Sequence, residues 1–206
     1  SDKPEGNESS AGVWNELFQF VAAAASDANP DARELAFLIL SETTETVGAH
    51  LKPQFPSMAQ LFGTALGDAD PKVQNASVKA LGQLLSYLAD EREVECFAAL
   101  IPPVITVAEA CRKRGDEDAV SVTLDVLYDL AYSPSPAVGV HIDSVVRFCL
   151  GCVQDADLDM GARDSAALVI ATTAEAKPKT FGKDEALLST VLEALFNLVE
   201  NSTESA

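Results

Sequence analysis

Asp68-Ala69-Asp70-Pro71-Lys72-Val73-Gln74-Asn75-Ala76 reads as a turn that hands over to a helix. Asp70 suits the N-cap, and Pro71 suits the first helical position, where its missing N–H costs nothing. Apolar residues then fall at Val73, Ala76, Ala80, Leu81, Leu84, Leu85 and Leu88. Steps of three and four place them on one stripe facing a core. The phrase recurs: Asn29-Pro30-Asp31-Ala32-Arg33 stands 41 residues earlier, Asp116-Glu117-Asp118-Ala119-Val120 stands 46 later, and Asp157-Leu158-Asp159 a further 41 on. A cap-then-helix signal with that period belongs to the HEAT/armadillo class of helical repeats.

Working outward, the first helix spans about Gly12 to Ala25, with Trp14, Leu17, Phe18, Val21 and Ala25 on one face. Its partner follows Asn29-Pro30, and the pair forms a repeat over 12–50. A second repeat covers 53–90, with Met58, Leu61, Phe62, Ala65 and Leu66 inward on its first helix. The third covers 91–132; Pro102-Pro103 is expected to kink its first helix, because Pro103 would remove a backbone hydrogen bond. In Arg112-Lys113-Arg114-Gly115, cations at the negative helix pole and a glycine beyond it mark a C-terminus. The fourth repeat covers 137–176, its first helix running from about Val138 to Val153. A lone helix of a fifth covers 184–200, with Leu188, Val191, Leu192, Leu195, Leu198 and Val199 as its stripe. Leu188, Val191, Leu195 and Leu198 are expected to stay exposed for want of a partner helix. The expected fold is all-α, a right-handed HEAT-repeat superhelix of about four and a half helix pairs over 11–206, behind a disordered tail, 1–10. The opening on Ser1 and the unpaired last helix read as a fragment of a longer array.

Composition narrows the function. Of 206 residues, 48% are hydrophobic but only 6% aromatic, which suits closely packed Ala- and Leu-rich helices. No apolar run reaches membrane-spanning length, and no secretory signal is visible. Fourteen basic against 32 acidic residues leave a net charge of −18, which opposes direct nucleic-acid binding and favours basic partners. Cys149 and Cys152 form a C-x-x-C, but inside an apolar helical run and without a second pair at zinc spacing; they read as buried thiols of a reducing compartment. Neither His50 nor His141 has a metal-ligand spacing, and no phosphate loop or nucleophile motif occurs, so no catalytic, metal or cofactor residues are expected. Asp118, Ser121, Asp125 and Asp129 share one polar face opposite Val120, Leu124 and Leu127; Glu34, Glu42 and Glu45 hold comparable outward positions in repeat one. These seven are the candidate protein-binding residues.

Val122-Thr123-Leu124-Asp125-Val126-Leu127-Tyr128-Asp129-Leu130-Ala131 resembles a helix phrase of importin-β (karyopherin-β) nuclear transport receptors. Val140-His141-Ile142, Phe148-Cys149-Leu150, Asp157-Leu158-Asp159 and Ala162-Arg163-Asp164-Ser165-Ala166 continue it in order, and Trp14-Asn15-Glu16-Leu17-Phe18 and Asn29 to Glu34 extend it upstream. The similarity is greatest to the branch that carries ribosomal proteins and histones. Gln74 stands where many such repeats hold an Arg, which would break the Arg–Asp ladder at that step. The resemblance implies a non-enzymatic import receptor that shuttles between cytoplasm and nucleus. It would bind basic cargo on its inner face and phenylalanine-glycine nucleoporins between outer helices. Ran-GTP would bind the full-length receptor, with no direct nucleic-acid or membrane partner. The competing reading is a HEAT-repeat scaffold without a transport role, which fold alone does not separate.

Overall fold

The computed structural model describes residues 7–88, 90–133, 135–181 and 184–204, and it is all-α, with no strand among them. The chain divides between Ala89 and Asp90 into two compact units. In the first, α1 (Asn7–Ala24) pairs with α2 (Pro30–Leu51), and α3 (Phe55–Leu66) pairs with α4 (Pro71–Tyr87). The second helices of the two pairs, α2 and α4, make the broadest contact. The core holds Val21, Ala36, Phe37, Leu40, Met58, Phe62, Leu81 and Leu84. The second unit holds α5 (Glu91–Glu95), α6 (Ile101–Arg114), α7 (Glu117–Tyr132), α8 (Pro136–Gly139), α9 (Ile142–Gln154), α10 (Met160–Ala176), α11 (Pro178–Phe181) and α12 (Glu185–Glu204). There α6 packs on α7, α9 on α10, and α7 along α10. The HEAT pattern of paired helices is therefore present in each unit.

The second helices begin at Pro30, Pro71, Glu117 and Met160, each behind a capping side chain. Asn29 accepts the Asp31 N–H at 3.0 Å, Asp70 that of Lys72 at 2.9 Å, Asp116 that of Ala119 at 3.2 Å and Asp159 that of Ala162 at 2.6 Å. Each cap satisfies a donor that the helix start leaves unpaired. At the end of α6, Gly115 is left-handed (φ 69°); its N–H donates to Arg112 O, and the Asp116 N–H to Cys111 O. This is a Schellman closure. A Cβ at Gly115 would meet no atom within 4 Å, so a substitution costs backbone strain alone. Gly115→Ala should lower stability by about 1 kcal/mol in urea denaturation; an unchanged midpoint would refute the account.

Four expectations change. Pro102 and Pro103 do not kink a helix; they occupy the first turn of α6, where no backbone donor is lost. The break lies upstream, in a 3-10 turn over Ala98–Leu100 that separates α5 from α6. The first helix of the fourth repeat is also divided, into α8 and α9, at Val140 and His141. On α12, Val191 and Leu198 are buried rather than exposed, because α9 covers them together with Leu187 and Ala194; Leu188 and Leu195 are half-buried, and Leu192 and Val199 of the expected stripe face solvent. α1 begins at Asn7 rather than Gly12, a shift in a helix end of the kind spacing reads least well. The rest of the expected tail, residues 1–6, and the Trp14 side chain lie outside the described residues.

Arginines tie neighbouring pairs within each unit. Arg33 holds Asp68 through Nε at 2.7 Å and Nη2 at 2.9 Å. Gln74 takes no part in such a rung; its Nε2 donates to Asp68 O at 2.6 Å. In the second unit Arg112 Nη1 donates to Gly151 O at 3.0 Å and to Asp155 at 3.4 Å, and the missing side chain of Gly151 leaves room for it. Arg147 reaches Asp184 at 2.9 Å.

Candidate protein-binding faces

Each unit presents one helix of the candidate set. On α2, Glu42 and Glu45 are exposed and Glu34 is half-buried. Lys79 of α4 stands 3.5 Å from Glu42, with both side chains largely in water. Such a pair contributes little to stability, but it places a cation among these carboxylates. Glu34, Glu42 and Glu45 therefore form a mixed-charge face.

The α7 face differs. Asp118 and Asp125 are exposed, Ser121 and Asp129 half-buried, and Val120, Leu124 and Leu127 fully buried behind them. The helix contains no Lys or Arg. Partial burial raises the Asp125 carboxyl above its ordinary value. α10 lies against α7, and its Asp164, Leu168, Ala171 and Glu175 recur at helical spacing and are exposed. Sequence reading missed these four because Leu168 interrupts the polar pattern while Thr173 is buried. The only cation within α10 is Arg163, whose Nε donates to Val153 O at 3.0 Å.

Cys96 is exposed, whereas the other three cysteines sit in the core. Cys111, Cys149 and Cys152 are buried. Burial pushes the Cys152 thiol up to about 12 and raises Cys149 and Cys111 as well. All three stay protonated at neutral pH, which suits packing rather than metal or redox chemistry. Among the described residues no helix is long and apolar enough to cross a membrane.

Residues 5–148 match the family described as IPO5-like, TPR repeats. Importin subunit beta-3 of Saccharomyces cerevisiae is 23% identical over 167 residues, which is 81% of this chain and 15% of that protein. The crystal structure of Kap121p bound to Nup53p superposes with a TM-score of 0.70 at 22% identity, over 88% of this chain and 17% of that one. Kap121p bound to RanGTP gives 0.67 over the same shares. The fold of this chain is thus that of a karyopherin helical array, and the chain spans about 15–17% of the length of these relatives. The second helices recur at 41 to 46 residues, the HEAT spacing, although the family's description speaks of TPR repeats, whose period is about 34.

Proposed function

The chain belongs to the IPO5-like helical-repeat family, and from that membership we propose that it is a segment of a nuclear import receptor. In this reading it takes lysine-rich cargo segments along exposed carboxylates. The observation that supports this most is the α7 face, where Asp118, Asp125 and Asp129 line one side of a helix that holds no cation. An extended basic segment would meet several of these at once. Each exposed contact is worth only about 0.2–1 kcal/mol, so affinity comes from their number and falls with salt. Glu34, Glu42 and Glu45 would contribute less, because Lys79 competes for Glu42. The full-length receptor would also bind RanGTP and phenylalanine-glycine nucleoporins and shuttle between cytoplasm and nucleus. The Kap121p structures, in which that protein is bound to Nup53p and to RanGTP, favour this over a scaffold without a transport role.

The test replaces Asp118, Asp125 and Asp129 together with Asn. Titration of a fluorescent lysine-rich nuclear-localisation peptide at low salt should show roughly tenfold weaker binding to the variant. Equal affinity for both proteins, with helical circular dichroism intact, would remove this face as the cargo site.

A further inference from the structure

The tie between the first two helix pairs uses two positions that can be followed along the chain. One is the fourth residue after each cap, held by Arg33, Gln74, Val120 and Arg163 behind Asn29, Asp70, Asp116 and Asp159. The other is the second residue before the cap, held by Asp27, Asp68, Arg114 and Asp157. Arg33 and Asp68 complete the rung between the first pair and the second. For a rung from the second pair to the third, the donor position holds Gln74 and the acceptor position holds Arg114. Gln74 does half of what Arg33 does. Arg33 Nη1 donates back to the carbonyls of Asp27 at 3.0 Å and Ala28 at 3.1 Å, while its Nε and Nη2 reach forward to Asp68. Gln74 Nε2 makes the backward bond, to Asp68 O at 2.6 Å, and the side chain has no second nitrogen to send forward. The acceptor side changes for a separate reason. Asp27 and Asp68 each accept the N–H of their cap residue, from Asn29 at 2.8 Å and from Asp70 at 2.9 Å. In the third pair the closure at Gly115 gives the Asp116 N–H to Cys111 O at 3.1 Å instead. That turn needs no carboxylate two residues before its cap, and Arg114 stands there, its Nη2 donating to Cys111 Sγ at 3.3 Å. Within the second unit Arg112 supplies the tie where α7 has Val120.

We propose that the step from α4 to α5 is a yield point built into the array, at which the first unit opens by local unfolding without drawing the second unit with it. Gln74 and Arg114 leave this step without a rung from either side. The division of the chain into two compact units falls between the same two residues, and it rests on packing rather than on the charges of the rung. In a stacked array stability is a sum of terms within repeats and terms between neighbours, so a lost neighbour term lowers cooperativity at that joint and nowhere else. Arg114 also sets the sign of the repair. It carries donors only, so an arginine introduced at position 74 alone would meet a like charge, and both positions must change together.

The experiment uses the 206-residue chain and native-state hydrogen exchange resolved by residue. Phe37→Ala removes a fully buried ring from the first unit. In the otherwise native sequence it should accelerate exchange in α2 and α4 but leave α7 and α10 within about twofold of their rates, whether it loosens the first unit or unfolds it. Gln74→Arg together with Arg114→Asp supplies both ends of the rung. In that background Phe37→Ala should accelerate exchange in α7 and α10 by about fivefold, the coupling expected of one partly screened ion pair. With either substitution alone, α7 and α10 should stay unresponsive to Phe37→Ala. Acceleration of α7 and α10 by Phe37→Ala in the otherwise native sequence would overturn the inference, because the units would already be coupled. An unresponsive α7 and α10 in the double variant, with helical circular dichroism intact, would overturn it too, because the missing rung would not be what separates the units.

Discussion

Phe37→Ala should destabilise the first unit by about 3–5 kcal/mol. Phe37 is fully buried on α2 and meets Phe62 of α3, with ring centroids 5.7 Å apart and planes tilted by 39°. Ala36 and Leu40 of α2 and Leu81 of α4 are buried as well, and α2 is the helix against which both α1 and α4 pack. Little could collapse into the space left by a lost ring, so both the transfer cost and the cavity cost would be felt. Phe37→Leu keeps most of the volume and should cost less than about 1.5 kcal/mol. Residue-resolved hydrogen exchange would show the difference. In Phe37→Ala, protection should fall across α2, α3 and α4. If Phe37→Ala shifted the urea midpoint no more than Phe37→Leu, the volume filled by this side chain would not be what holds these helices.

What the sequence reveals here depends on how local each signal is. The starts of the second helices were legible because Asn29, Asp70, Asp116 and Asp159 cap through bonds two or three residues away. The closure at Gly115 was legible for the same reason. The double proline was not. Apolar residues run at helical spacing from Phe97 through Ala108, and nothing in that pattern shows that the chain breaks at Ala98–Leu100 and restarts with the prolines in a first turn. α12 is apolar around much of its circumference, so spacing admits more than one inward face; contact with α9 selects Leu187, Val191, Ala194 and Leu198. The candidate faces divide in the same way. The α7 carboxylates share a helix and could be read off it. The approach of Lys79 to Glu42, and the packing of α10 beside α7, need tertiary structure.

Asp68→Asn should lower the melting temperature of the first unit by about 5–10 °C at neutral pH. Asp68 lies in the turn between α3 and α4, and both its oxygens accept from Arg33 of the preceding pair. Both side chains are mostly covered, at 19% and 12% exposure, so solvent screens the contact less than it would a surface pair. The hydrogen bond from Arg33 is the main reason the Asp68 carboxyl titrates below its ordinary value, and the Asp70 N–H, donating at 2.9 Å, adds to it. Asparagine keeps an acceptor for that N–H, so the turn survives while the charge is lost. Because the folded state depresses this pKa, the stabilisation is complete above the unfolded-chain value of about 3.9 and disappears as pH falls through the lower folded value. Melting curves of the two proteins should therefore differ most near pH 7 and converge well below pH 4. A gap that persists undiminished at pH 2, or none at pH 7, would mean that the Arg33–Asp68 contact does not fasten the first helix pair to the second.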